Sequence, residues 1–268
     1  MIRRWLALAT GAMLYLHASP APAEPILAAH KYQGPIPQNA LSLRVGTFGG
    51  ASNQAMIDFL DGRVKPPFES NPQDFSNALS VDVGFIHKPH PQFGVRLNGS
   101  AAFLSYTSTG DFVPQVQADS TLPQLKFSRE LKVQLFVLEA SGLYYFGDAS
   151  AKELQTYLGG GFSLGFPHQS FTETRTDADT GLPFTEEIPG HPSDVSEWDV
   201  SPGVHVVGGI LYYFSDRWAV SAEGRGQFMQ SRFDQLQALD PETGKFENVS
   251  FVIDYAGFYL AIGATYGF

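Results

Sequence analysis

The sequence predicts an all-β chain, an eight-stranded antiparallel up-and-down transmembrane β-barrel, and three observations carry that prediction. Apolar residues recur with a period of two in eight separate runs, the connections between the runs alternate between short and long, and the composition favours strands and turns. With 27 Gly, 22 Phe and 11 Tyr against four Met, the chain is built from the residues of sheets and turns. Cysteine is absent, although an exported chain could have used disulfides. A sheet that closes on itself through backbone hydrogen bonds needs none.

The chain opens with MIRRWLALATGAMLYLHASPAPA. Arg3 and Arg4 form a basic start, Trp5 to Leu16 an apolar run, and Ala21-Pro22-Ala23 a small-residue cleavage site. The apolar run is too short for a spanning helix of about 20 residues, so residues 1–23 read as a signal peptide cleaved during secretion across an inner membrane. Residues 24–40, rich in Pro and Ala, read as a short periplasmic lead, and 41–268 as the barrel. Removing residues 1–23 takes away two Arg and no acidic residue, which leaves 15 basic against 27 acidic groups, a net charge of −12. That sign argues against nucleic acid as a partner.

The first run, 41–49, carries Arg44 on its polar face. In the second, Leu79, Val81, Val83 and Phe85 alternate with Ser80, Asp82 and Gly84. The third sets Phe93, Val95, Leu97, Ala101 and Phe103 against Arg96, Asn98 and Ser100, and the fourth sets Phe136, Leu138, Ala140 and Tyr144 against Glu139 and Ser141. Residues 154–166 and 198–214 repeat the theme more loosely. The seventh alternates Trp218, Val220, Ala222 and Phe228 with Ser221, Glu223 and Arg225, and the eighth runs back from Phe268 through Tyr266, Ala264, Ile262, Leu260 and Phe258.

Short connections join runs two and three (HKPHPQ), four and five (GDASAKE) and six and seven (SDR), whereas those after runs one, three, five and seven are each about 30 residues, beyond an ordinary loop. Strict sorting of this kind fits a barrel threaded through a membrane, with short periplasmic turns at one mouth and long external loops at the other. DADTG (177–181) and DPETG (240–244) in those loops read as hairpin tips. A secreted barrel of lipocalin type, with its apolar face inward, is the competing architecture.

The C-terminal ATYGF, with Phe268 last and Tyr266 two before it, together with the aromatic-closed runs LYYFGD (143–148) and LYYFSD (211–216), resembles the OmpA-like, opacity-type family of small outer-membrane barrels, which includes Ail-type surface proteins. The resemblance covers the barrel only, without a peptidoglycan-binding domain. It implies a monomer in the outer membrane of a Gram-negative bacterium, in contact with outer-membrane lipids and lipopolysaccharide. It also implies Tyr266 and Phe268 as the C-terminal signal read by the assembly machinery. Tyr144, Phe146, Tyr212, Phe214, Trp218, Tyr266 and Phe268 then form the periplasmic aromatic girdle.

With the apolar face toward lipid, Arg44, Asp82, Arg96, Glu139, Glu223 and Arg225 point into the barrel, three of each sign. An eight-stranded interior is just wide enough for side chains to fill, and buried ions must pair, so these six read as a structural ion-pair network. The function expected is non-enzymatic: envelope stability, adhesion or ligand contact through long external loops, with an extracellular partner possible and no cofactor. A narrow gated channel and a lipid-modifying enzyme are the alternatives. For the enzyme, His168 and Ser170 in HQS with Glu173 are the candidates, placed in a loop after the fifth run. GFSLG (161–165) matches a G-x-S-x-G elbow at Ser163 but lacks the strand-turn-helix context such a nucleophile needs. His87 and His90 on a Pro-rich turn lack further metal ligands. His205 reads as a hydrogen-bonded wall residue, and Asp177 and Asp179 as two acids of a solvated loop.

Overall fold

The computed structural model describes residues 37–51, 70–72, 78–112, 125–146, 154–186, 193–239 and 246–268, all within one compact unit of residues 32–268. The signal-peptide reading of residues 1–23, most of the 24–40 lead, the 147–153 turn and the DPETG tip lie outside the described residues.

Eleven strands are described: β1 Asn39–Gly49, β2 Ser70–Pro72, β3 Ala78–His90, β4 Phe93–Phe112, β5 Leu125–Phe146, β6 Leu154–Asp177, β7 Asp194–Trp198, β8 Ser201–Tyr213, β9 Trp218–Leu239, β10 Phe246–Asp254 and β11 Gly257–Gly267. Eight of them close a ring in the order β1, β3, β4, β5, β6, β8, β9, β11, every pair antiparallel, with β1 bonded to both β3 and β11. The chain is thus all-β, and its eight-stranded barrel leaves no edge in the ring. Asn39 and Phe268 exchange backbone hydrogen bonds where the ring closes. The same end carries the Pro91-Gln92 turn and the 214–217 turn, in which Ser215 Oγ accepts from the Trp218 N–H at 3.0 Å.

The remaining three strands prolong the barrel at the opposite end. β7 and β8 lie in succession along β6, and β10 and β11 in succession along β9, so each pair is one strand interrupted, at Asp199-Val200 and at Tyr255-Ala256. β4, β5, β6 and β9 have 20, 22, 24 and 22 residues, about twice the 11 of β1 and β11.

Their side chains show why they are long. Over the half that holds Asn39 and Phe268, apolar residues point outward: Leu79, Leu138, Leu260 and Ile262 are 60, 59, 59 and 72 % exposed. Beyond 135–138 on β5 the faces exchange roles. Leu131, Val133, Leu135 and Val137 point inward and are buried, while Lys126, Ser128, Lys132 and Gln134 face out. The exchange recurs at Phe103-Leu104 on β4 and Phe228-Met229 on β9. A strand that is apolar outward below and apolar inward above fits two solvents in turn, hydrocarbon and then water. The inward residues of the far half join Phe48, Leu104, Tyr106, Phe171, Met229, Phe233 and Ile253 in a conventional apolar core.

Three sequence expectations are corrected here. The stretch 167–197 is not one solvated loop: β6 continues through it to Asp177, and β7 returns. Its inward residues Gln169, Phe171 and Glu173 are buried by the core, so the strand persists after its outer face turns polar. HKPH belongs to β3, which runs to His90, with its register slipping between His87 and His90, so only Pro91-Gln92 remains as the turn. The first strand starts at Asn39, two residues earlier than 41.

Candidate functional site

The inner faces of the near half converge on one polar layer. Gly84, facing inward on β3, makes room for it: a Cβ there would lie 2.7 Å from Ser42 Oγ and 2.9 Å from Asn98 Oδ1. Arg44 reaches from β1 to three neighbours. Its Nε donates to Asp82 Oδ1 at 2.6 Å, Nη1 to Glu223 Oε2 at 2.8 Å and Nη2 to Asn98 Oδ1 at 2.9 Å. Arg96 Nη1 donates to the same Glu223 oxygen, which also accepts from Tyr157 Oη at 2.5 Å. Arg225 Nη1 donates to Glu139 Oε2, and Asn98 Nδ2 donates to that oxygen at 3.0 Å. Arg225 also stacks on Tyr259, with Cζ 4.1 Å from the ring centroid.

All six charged side chains are at most 5 % exposed, and their formal charges cancel. Taking each ion out of water costs several kcal/mol, which only close pairing and further hydrogen bonds offset. The structure therefore brings Arg44, Asp82, Arg96, Glu139, Glu223 and Arg225 into one cross-linked cluster. Asn98 and Tyr157 complete it. Sequence parity could have added Asn98, two residues after Arg96; Tyr157 gave no polar signal in an apolar run.

Further residues shape the layer's borders. His205 bridges two hydroxyls, Ser141 Oγ at 2.8 Å from Nε2 and Ser163 Oγ at 2.8 Å from Nδ1. Ser163 thus sits inside a strand, on the wall of the interior, without an elbow around it. Toward the end where Asn39 meets Phe268 the interior holds Leu143, Tyr145, Tyr157, Val207, Leu211 and Tyr213. Lys88 joins them, its Nζ 2.9 Å from Gln155 Oε1 and 4.1 Å from the Tyr145 ring centroid. Toward the far end the apolar core begins. The polar layer is bounded on both sides by packed side chains.

The other sequence candidates disperse. His168 faces outward on β6, stacked on Trp198 with ring centroids 4.5 Å apart, and Ser170 follows on the same face. Glu173 faces the opposite way, buried between Arg129 Nε at 2.6 Å and Arg175 Nε at 2.7 Å, so the three form no catalytic constellation. Burial alone would raise the Glu173 carboxyl, but the two guanidinium groups hold it below the usual carboxylate range. His87 Nδ1 contacts Asn39 Oδ1 at 2.9 Å, and His90 Nδ1 accepts from the Gln92 N–H. No group of three metal-binding side chains gathers among the described residues. Asp177 closes a turn: its Oδ1 accepts from the N–H groups of Asp179 and Thr180, and Gly181 adopts φ 69°. Those bonds, the Thr180 N–H foremost, lower the Asp177 carboxyl.

Near the terminal end, Tyr144 lies edge-on to Phe146 at 5.2 Å, Trp218 packs on Tyr266 at 4.9 Å, and Tyr266 on Phe268 at 6.4 Å. Tyr212 and Phe214 lie on the same outward face. At the far end, β7 and β9 adjoin without a backbone ladder between them. Side chains close that seam instead. Asp199 Oδ2 accepts from the Arg232 N–H at 2.8 Å, Glu197 Oε2 from the Asp234 N–H at 3.0 Å, and Gln169 Nε2 donates to Ser231 Oγ at 2.6 Å.

No protein-family model and no curated protein sequence matches the chain. Among solved structures it is similar to the outer membrane protein OprG from Pseudomonas aeruginosa, at 13% identity over 89% of this chain and 99% of that one, with a TM-score of 0.49. It is also similar to Neisserial surface protein A, at 12% identity over 86% and 96% of the chains and a TM-score of 0.39. A third is Ail of Yersinia pestis, at 12% identity over 86% and 99% of the chains and a TM-score of 0.37.

Proposed function

We propose that the chain is a monomeric outer-membrane β-barrel with a structural or surface-interaction role, exerted by the barrel extension and the connections at its far end. The observation that carries this reading is the exchange of apolar faces along the long strands. An outward apolar belt requires hydrocarbon around the near half, and an inward apolar core requires water around the far half. Strand excess of about ten residues at about 3.3 Å each lifts the far end well clear of a bilayer. With the short turns and the Asn39–Phe268 closure at one mouth, the periplasm is the near side in this reading and the extension lies outside the cell.

In this reading Tyr144, Phe146, Tyr212, Phe214, Trp218, Tyr266 and Phe268 are the periplasmic girdle, where amphipathic rings favour the headgroup level. Tyr266 lies in β11 and Phe268 directly follows it, and the pair is read as the signal for assembly. Lipid and lipopolysaccharide are the obligatory surroundings, and a partner outside the cell would meet the extension. The packed interior on both sides of the polar layer favours this role over a gated channel, and the separation of Glu173 from His168 and Ser170 favours it over a lipid-modifying enzyme.

Two measurements test the reading. Folded protein extracted from membranes should migrate differently on gels with and without heating. In intact cells, a membrane-impermeant amine reagent should label Lys126 and Lys132 and leave Lys88 unlabelled. Recovery of the protein in the soluble periplasm would overturn the proposal.

A further inference from the structure

The buried charges of the near half do not sum to zero. Four cations, Arg44, Lys88, Arg96 and Arg225, face three carboxylates, Asp82, Glu139 and Glu223, and all seven are at most 5 % exposed. The three Arg and the three carboxylates cancel within the polar layer, and His205 counts as neutral, so the excess is Lys88. Among the described residues Lys88 forms no ion pair. Its Nζ donates to Gln155 Oε1 at 2.9 Å and faces the rings of Tyr145 and Tyr213, with centroids at 4.1 and 6.0 Å. Two ring faces and one amide oxygen do not offset the several kcal/mol that desolvating an ammonium costs.

Donors without partners lie beside this excess. Arg96, fully buried, spends Nη1 on Glu223, while its Nε and Nη2 have no hydrogen-bond partner among the described residues. Those two atoms form one edge of the guanidinium, whose parallel N–H bonds match the two oxygens of a carboxylate. The Tyr145 hydroxyl is likewise buried and unpartnered among the described residues. Its ring leans over Gly94, where a Cβ would lie 3.1 Å from Cε2 and 3.6 Å from Oη, and Gly94 is one step from Arg96 on the same inward face of β4. Across the sheet Arg96 is in register with Ser141 and then Gly161, both small. Arg225 leaves the same two atoms without a hydrogen bond, but its Nη2 is 3.9 Å from Asp82 Oδ2 and its plane stacks on Tyr259.

We propose that the barrel interior binds one small planar monovalent oxyanion, of the carboxylate or bicarbonate type. Nε and Nη2 of Arg96 donate to it side by side, Tyr145 Oη adds a third hydrogen bond, and Lys88, on the face of the Tyr145 ring, supplies the balancing charge. Water would satisfy the same donors but leave the interior with one uncompensated cation. A divalent anion would reverse the imbalance, whereas a monovalent one brings the near half to neutrality, the state a low-dielectric interior favours. The site is separate from the surface role proposed above and does not depend on it.

The test uses the full mature chain folded in detergent micelles, with formate as the probe. In about 100 mM sodium formate the unfolding constant of wild type should be about tenfold lower than in equal sodium chloride, as for one site with a dissociation constant of about 10 mM. Sodium sulfate at the same ionic strength should behave as chloride does. In nitrogen-15-labelled protein the Arg96 Nε–H resonance should move with formate and saturate. Lys88→Met should lose most of the formate gain, because its interior is neutral without an anion. Tyr145→Phe removes a hydroxyl that no protein group uses, so it should fold and bind formate about tenfold more weakly, the loss of one hydrogen bond to a charged group. It keeps the test decisive should Lys88→Met not fold. Equal unfolding constants in formate and chloride with an unmoved Arg96 resonance would mean that water alone fills the edge, and overturn the proposal. An undiminished formate response in Lys88→Met, or in Tyr145→Phe, would overturn it as well.

Discussion

Replacing Glu223 by Ala removes an acceptor shared by three buried donors of the interior. One of its oxygens accepts from Arg44, Arg96 and Tyr157. Without it, Arg44, Arg96 and Arg225 face only Asp82 and Glu139, so the buried layer acquires a net positive charge. Removing one partner of a buried pair costs about 3–5 kcal/mol because the other charge stays desolvated. Glu223→Gln leaves the same excess of positive charge but keeps an acceptor for Tyr157 and a guanidinium, so it should cost less, about 1.5–3 kcal/mol. Reversible urea unfolding in lipid vesicles, read by tryptophan fluorescence and by gel mobility, measures both. Adding Arg96→Met to Glu223→Ala should recover part of the loss, since the stranded cation is then gone. A loss below about 1 kcal/mol for Glu223→Ala would refute the reasoning, since it would mean that water reaches the layer and screens it.

Three other outcomes follow from the far half. Leu131→Ala, at a fully buried core position, should cost about 2–5 kcal/mol in the same unfolding assay without altering insertion. Asp199→Ala should speed hydrogen exchange of the Arg232 amide about tenfold, the effect of one lost hydrogen bond, while amides within the β8 and β9 ladder keep their protection. Acid should loosen the extension first. Because the folded Glu173 carboxyl lies below its unfolded value of about 4.3, its stabilisation is complete above that value and is lost as pH falls through the folded one. Exchange at β6 and β7 measured between pH 7 and 3 checks this, with Glu173→Gln expected to flatten the response.

The period-two runs made the near half legible in the sequence, because a lipid-facing strand leaves one unbroken apolar face. The same parity set Arg44, Asp82, Arg96, Glu139, Glu223 and Arg225 on the other face. It could not show who pairs with whom: Arg44 and Glu223 are 179 residues apart and meet only through closure of the ring. The far half was obscured by its own physics. Where the faces exchange, LFVL at 135–138 is apolar on both sides, so the pattern dissolves although the strand continues. Beyond that point Ser170, Thr172 and Thr174 mimic a polar loop, while their inward neighbours Phe171 and Glu173 are buried. His168 therefore reads as a loop residue in the sequence, whereas it lies within β6.

Single-channel recording in planar bilayers tests most directly whether this barrel is a closed scaffold working through its outer surface. Wild type and Arg225→Ala should both give no stepwise current, because the apolar core above the polar layer and the Lys88, Tyr145 and Tyr213 cluster below it stay in place. Discrete conductance steps in wild type, growing in Arg225→Ala, would contradict it.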